Sequence, residues 1–254
     1  MVGDESFLSE VYKILNSAEE SNVTLRLLGS IAIRLHSETA KRQVIPRALT
    51  DIDFVGYSKE KNKIEKIFEN LEYTPDENFN AFHGSERLIY NKGEIRVDIF
   101  LDKFSMCHQF DFRKRLKLDF PTLSVSDLLI TKLQIVQLDE KDLKDIIFLL
   151  NDHELSDTDN DREKINAKYI AKLCSDNWGI YKTFTMNVNR VLRYLEKCLD
   201  QKNAQIKVNL KDKCSFLLEI IEKEPKSLAW KTRAIIGEKR QWYQLPEINE
   251  KQKF

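Results

Sequence analysis

Three acidic residues stand out by their spacing. Asp51 and Asp53 flank Ile52 in the stretch Asp51-Ile52-Asp53-Phe54, and Asp98 lies between Val97 and Ile99. Residues two apart on a β-strand share a face. Asp51 and Asp53 are therefore expected on one side of a strand, with Ile52 and Phe54 turned to the core. A neighbouring strand carrying Asp98 adds a third carboxylate. Three such groups repel one another unless a cation sits among them. Hard oxygen donors in this number suit Mg²⁺ or Mn²⁺, with substrate phosphates completing the coordination shell. Two such ions about 4 Å apart can orient an attacking hydroxyl and hold a nucleoside triphosphate (NTP), so that positioning and charge neutralisation carry the catalysis.

The partner of this acid set is Leu27-Leu28-Gly29-Ser30. Gly29 lets backbone approach a phosphate with no Cβ in the way. The helix start after it offers free N–H groups, and the Ser30 hydroxyl adds a donor. A lone Asp-x-Asp is usually a strand edge meeting solvent, and a lone Gly-Ser says less. Their succession, followed by a later apolar-Asp-apolar strand, is far more specific.

The elements that must position these residues follow from periodicity. Phe7, Val11, Ile14 and Leu15 predict a helix over about 5–19. Val23 to Leu28 is a short strand, and Ser30 is placed to cap the helix that follows it. Residues 37–50 read as a polar loop with Lys41, Arg42 and Arg47. Strands are expected at 51–55, 86–90 and 94–101, the last two joined by the turn Asn91-Lys92-Gly93. A helix fits 59–71, and 72–85 reads as irregular. Further helices are expected from Ser124 to about Gln137 and from Asp139 to near His153. Residues 154–164 are polar and acidic and mark the expected domain boundary, giving 1–153 and 154–254. Beyond it the helical pattern covers about 165–175, 179–200, 211–223 and 226–236. The fold class is thus α/β (α+β): a small mixed β-sheet flanked by helices, then an all-α C-terminal part.

Bulk composition is compatible with this. The 254 residues hold 41 basic and 41 acidic side chains, so no global charge argues for nucleic acid. Cys107, Cys174, Cys198 and Cys214 have no Cys-x-x-Cys spacing. They read as reduced thiols of a cytoplasmic protein. The acidic start gives no signal-peptide pattern, and no apolar run reaches membrane-spanning length, so no membrane partner is expected.

The order apolar-Gly-Ser, helix, Asp-apolar-Asp, then apolar-Asp-apolar is carried by LLGSIAIRL, TDIDFV and RVDIFL. It resembles the DNA polymerase β-like nucleotidyltransferase superfamily over roughly residues 23–150. Within that superfamily the chain is similar to the minimal or AbiEii-type nucleotidyltransferases, which include toxins. SDLLITKLQIV followed by DEKDLKDIIFLL resembles their helical segment with a lysine and a downstream acid. The resemblance implies that Gly29 and Ser30 bind triphosphate, and that Asp51, Asp53 and Asp98 bind metal. It further implies that Asp98 is the base toward an acceptor hydroxyl, that Lys132 contacts phosphate, and that Asp142 or Asp145 is a supporting acid. One departure is the gap of twenty residues between Ser30 and Asp51, which falls in the basic 37–50 loop and would bring Arg42 and Arg47 toward a triphosphate.

The expected activity is transfer of a nucleoside monophosphate from an NTP, such as ATP, to an acceptor hydroxyl on a small molecule, a protein or RNA. The alternative is a non-catalytic nucleotide-binding or partner-binding module of a toxin–antitoxin-like system. Secondary candidates are weaker. His83 and Arg87 lie just before the hairpin, where His83 could meet a substrate and Arg87 a phosphate, although a loop histidine is usually just exposed. Cys107-His108 has no orienting motif. Lys226, Lys231, Arg233, Lys239 and Arg240, interleaved with Trp230, Trp242 and Tyr243, would suit base stacking, although a solvated helical face with inward aromatics is the commoner meaning of such a mixture.

Overall fold

The computed structural model describes Asp4–Cys198 and Ala204–Leu245. The expected long helix is described to Cys198, so its positions 199 and 200 lie outside the described residues, as does the Cys198 side chain. The chain divides into two compact units. One is the chain up to Phe104 together with Phe110–Ser124, and the other is Ser105–Gln109 together with the chain from Val125 onward.

The first unit carries, in order, helix α1 (Asp4–Glu20), strand β1 (Leu25–Leu28), helices α2 (Gly29–His36) and α3 (Glu38–Lys41), strand β2 (Ile52–Gly56), helix α4 (Lys61–Asn70), strand β3 (Thr74–Pro75), helix α5 (Glu77–His83), and strands β4 (Arg87–Lys92) and β5 (Ile95–Leu101). Two short strands follow, β6 (Lys103–Ser105) and β7 (Gln109–Asp111). The main sheet has five strands in the order β1-β2-β5-β4-β3. It is mixed: β2 and β5 run parallel, and the other pairs are antiparallel.

Residue type explains which face is which. Leu25, Leu27, Ile52, Phe54, Val97, Ile99, Leu88 and Tyr90 are buried and alternate with the polar positions of the same strands. α1 and α4 add their stripes, Val11, Ile14 and Leu15 on one and Ile64, Ile67 and Phe68 on the other. The Phe68 ring stacks on Tyr90 at 4.5 Å and meets Tyr73 edge-on at 5.2 Å. The open side of β1 is closed by residues 119–123: Leu27 N–H donates to the Pro121 carbonyl, Leu123 N–H donates to the Leu27 carbonyl, and Arg26 Nε donates to the Asp119 carbonyl.

Two local expectations change. Residues 72–85 are not irregular, because β3 and α5 lie there. α5 has no buried apolar stripe to betray it. It is held by polar bonds instead: Asp76 caps it by accepting from Phe79 N–H, and the Asn80 amide pairs with both the N–H and the carbonyl of Ile89. Ser30 does not cap α2 either. The helix begins one residue earlier, at Gly29, with Leu28 at the cap position and no side-chain cap.

The second unit is mostly helical. It holds α6 (Val125–Leu133), α7 (Glu140–Asp152), a parallel strand pair β8 (Glu154–Ser156) and β9 (Lys164–Asn166), then α8 (Ala167–Asp176), α9 (Trp178–Cys198), α10 (Ala204–Lys223) and α11 (Leu228–Ile236). The acidic stretch 154–164 lies inside this unit and contains β8. α7 ends in a charge-matched way: Lys213 Nζ, on α10, donates to the carbonyls of Asn151 and His153, where the helix leaves carbonyl groups without partners. No helix among the described residues is long and apolar enough to cross a membrane.

Candidate functional site

The first unit's sheet brings two of the three acids side by side. β2 and β5 pair in parallel with Asp53 opposite Asp98, so both carboxylates leave the same face of adjacent strands, about 4.8 Å apart in the pairing direction. Asp51 precedes β2 by one residue and is half-exposed, with Thr50 Oγ1 donating to its Oδ1 at 2.8 Å. Leu28, the last residue of β1, pairs with Asp53. The chain turns directly from it into α2.

That turn needs glycine. Gly29 has φ of +74°, a left-handed backbone that side chains disfavour. An added Cβ would overlap Asp53 Oδ2 and lie 3.2 Å from Asp53 Cγ. The Gly29 backbone and the Asp53 carboxylate are thus in direct apposition. Beside them the Ser30 hydroxyl is buried with no hydrogen-bond partner among the described residues. A buried hydroxyl without a partner is costly and calls for a ligand or water. The uncapped first turn of α2 offers N–H groups at the same place. Oxygen donors, a glycine cradle and an unsatisfied hydroxyl fit a phosphorylated ligand with a divalent cation.

Asp98 is 2% exposed, and its charge is met within the protein. Arg87 donates to Oδ1 from Nε at 3.1 Å and from Nη2 at 2.7 Å. Arg96 donates to Oδ2 from Nε at 2.9 Å and to Oδ1 from Nη2 at 3.3 Å. Burial works against the Arg96 charge, but the bonds and field of Asp98, with Asp51 and Asp76 behind them, hold its pKa above the usual value. Among the described residues no group of three His, Cys, Asp or Glu side chains is gathered as a metal-holding cluster.

The basic loop of residues 37–50 contains the short helix α3, where a polar loop was expected. Arg42 is exposed and lies 3.9 Å from Glu38. Arg47 is half-buried: its Nη1 donates to the Ala48 carbonyl, and its own carbonyl accepts from Arg34 Nη2. Both arginines thus have partners in their own loop or on α2. The His83 ring lies tilted against Phe79, with centroids 4.7 Å apart.

Lys132 belongs to the second unit. Its ammonium lies 3.1 Å from Asp142 Oδ1 and 2.9 Å from Asp145 Oδ2, so both candidate acids hold it. Burial opposes the charge on Lys132, yet the two aspartates hold its pKa far above the ordinary lysine value. Burial pushes the Asp142 carboxyl up, against the pull of Lys132. In the same unit the aromatic residues near the C-terminus line an open cleft of about 560 Å³ with His108, Asn177 and Arg240. Trp178 and Trp242 meet edge-on at 6.0 Å, Arg233 covers Trp178 at 4.7 Å, and Trp242 Nε1 donates to Thr183 Oγ1. These rings pack largely on one another. His108 is a buried core residue: its Nε2 lies 2.8 Å from Thr183 Oγ1, and burial lowers its pKa to about 4.

Sequence reasoning missed the arginine pair on Asp98. Half of the signal was present, since Arg96 stands two residues before Asp98 and must share its face.

No family model matches the chain, and no curated protein matches it. Solved structures do show likeness. ANT(2'')-Ia in complex with adenylyl-2''-tobramycin is 16% identical, with a TM-score of 0.42 over 57% of this chain and 87% of that one. The lincosamide antibiotic adenylyltransferase LnuA, lincomycin-bound, is 18% identical, with a TM-score of 0.42 over 56% of this chain and 94% of that one. An antigenic nucleotidyltransferase-like protein from Paracoccidioides brasiliensis is 14% identical, with a TM-score of 0.42 over 90% of this chain and 97% of that one. These likenesses are weak, and the chemistry of the site rests on its own residues.

Proposed function

We propose that the first unit binds an NTP with Mg²⁺ or Mn²⁺ and transfers its nucleoside monophosphate to an acceptor hydroxyl. The observation that carries this is the adjacency of Asp53 and Asp98 on one sheet face, directly against the Gly29-Ser30 start of α2. The proposal follows the resemblance of LLGSIAIRL, TDIDFV and RVDIFL to the polymerase β-like superfamily, and the AbiEii-type grouping is part of it.

In this reading the Ser30 hydroxyl and the first N–H groups of α2 hold the triphosphate. Asp51, Asp53 and Asp98 would hold the divalent cation, which supplies charge neutralisation for the phosphates and the departing pyrophosphate. Asp98 accepts the proton of the acceptor hydroxyl as its oxygen attacks the α-phosphorus. Asp53 fixes the reacting geometry through its contact with the Gly29 backbone. Arg42 and Arg47 steer the triphosphate from the 37–50 loop. Lys132, with Asp142 and Asp145, shapes the helical unit. The acceptor is a small molecule, a protein or an RNA hydroxyl. The free, buried thiols of Cys107, Cys174 and Cys214 support a cytoplasmic setting.

The test is direct. Purified protein is incubated with each α-labelled NTP, Mg²⁺ or Mn²⁺, and candidate acceptors, and labelled product is counted. Asp51→Ala should abolish transfer while leaving the melting curve in place. Full activity in that variant would sink the mechanism. A second reading is favoured by one observation, the neutralisation of Asp98 by two arginines. It makes the chain a non-catalytic nucleotide-binding or partner-binding module of a toxin–antitoxin-like pair. NTP binding without any transfer, across all acceptors, selects this reading.

A further inference from the structure

An aspartate intended only for a cation has no need of two guanidiniums. Asp98 nonetheless receives four N–H bonds, and both of its oxygens are used. The arginines are well placed to stay near. The Arg87 guanidinium lies over the rings of Phe100, at 4.8 Å, and Phe79, at 5.6 Å. Arg96 shares a strand and a face with Asp98. Both still reach the surface, with side chains 21% and 32% exposed, whereas that of Asp98 is 3% exposed. A ligand arriving at this face meets the arginines before it meets the acid.

A guanidinium matches carboxylate and phosphate with the same two-pronged geometry. The Ser30 hydroxyl, buried and without a hydrogen-bond partner among the described residues, and the uncapped start of α2 mark where a phosphate would lie at the end of β1, which β2 separates from β5. Asp51, Asp53 and Asp98 bring three carboxylate charges to this face. The two arginines offset most of that charge. An incoming triphosphate adds about three to four more negative charges and competes with Asp98 for the same donors.

We propose that Arg87 and Arg96 are an exchangeable pair: they neutralise Asp98 in the absence of nucleotide and pass to the triphosphate of an arriving NTP, which releases Asp98. The inference rests on the nucleotide reading above and adds an order to it. Nucleotide must bind before Asp98 becomes available to a cation or to an acceptor proton. The exchange makes and breaks only hydrogen bonds and ion pairs.

The test uses the full chain and two binding readouts that need no turnover. Calorimetry in EDTA measures metal-free ATP and GTP affinity, and Mn²⁺ electron paramagnetic resonance measures cation binding with and without nucleotide. Asp98→Asn removes the competitor for the arginines, so metal-free NTP affinity should rise about tenfold, the worth of one charge-assisted bond. Arg87→Gln and Arg96→Gln should each weaken NTP binding about tenfold and increase Mn²⁺ binding in the absence of nucleotide. Arg→Lys at either site should restore part of the NTP affinity. If an arginine variant does not fold, Asp98→Asn carries the test alone, because it removes no positive charge. Wild-type NTP binding with no gain in Asp98→Asn overturns the exchange and leaves the nucleotide reading standing. No NTP binding by the wild type, with or without metal, overturns both.

Discussion

Gly29→Ala separates a structural from a catalytic use of the Gly-Ser turn. The substitution has two costs. The first is backbone: an L-residue at φ of +74° costs about 1–2 kcal/mol. For a chain of this size that lowers the melting temperature by roughly 2–8 °C. The second is local. The new methyl overlaps Asp53 Oδ2, with Cγ and Cβ at 3.2 and 3.4 Å, so the Asp53 carboxylate must move by about 1 Å. A misplacement of that size in a reacting constellation costs about 100-fold in rate.

Gly93→Ala supplies the matched control. Gly93 also has a left-handed φ, of +59°, but an added Cβ there would meet nothing within 4 Å. Both variants should lose stability to a similar degree in a calorimetric melt. Only Gly29→Ala should lose the roughly 100-fold in pyrophosphate release from NTP. Full activity in Gly29→Ala refutes the apposition of Gly29 and Asp53 as a functional feature. An equal loss of activity in Gly93→Ala refutes it too, because the effect would then follow stability alone.

Lys132→Met leaves Asp142 and the fully buried Asp145 without their cation, and should destabilise the second unit by about 3–5 kcal/mol in urea. Adding Asp142→Asn should recover part of that loss, and a loss below about 1 kcal/mol would show that the triad contributes little. His108 has a folded pKa of about 4 against about 6.5 when unfolded, so its neutral form favours the folded state. That contribution is whole above about pH 6.5 and is lost as pH falls toward 4, a change of about 3 kcal/mol. Urea unfolding at several pH values should show this slope in the wild type and a shallower one in His108→Gln. An equal slope in both would place the acid sensitivity elsewhere.

Much of this geometry follows from a period of two. The alternation in Ile52-Asp53-Phe54 and Val97-Asp98-Ile99 was enough to put acids on one face and apolar residues on the other, and the buried core positions follow it. The break from Leu28 to Gly29 was legible for the same reason, since an apolar run ended where a left-handed residue was needed. α5 was not legible, because Glu77–His83 has no buried apolar stripe and depends on an amide pairing with Ile89, outside the helix on β4. The grouping of α6 and α7 with the later helices was hidden as well. The acidic run 154–164 has the composition of a linker, but its Leu155 pairs with Ile165, just past the run, across β8 and β9.

The arginine pair on Asp98 shows where composition and spacing stop deciding. Arg96 was already on the right face by the same rule that grouped Asp51 with Asp53. Arg87 depends on hairpin register. With Lys92 paired to Ile95, Arg87 falls opposite Phe100, and Ile89 falls opposite Asp98. A slip of one residue would send Arg87 to the other face. Spacing therefore identifies the acids that need positive charge but leaves open whether a metal, a ligand-bound cation or the protein's own guanidiniums supply it. Here the turn at Gly93 brings one of the protein's own guanidiniums to Asp98. It does so by choosing the register that places Arg87 opposite Phe100, on the same face of the sheet as Asp98.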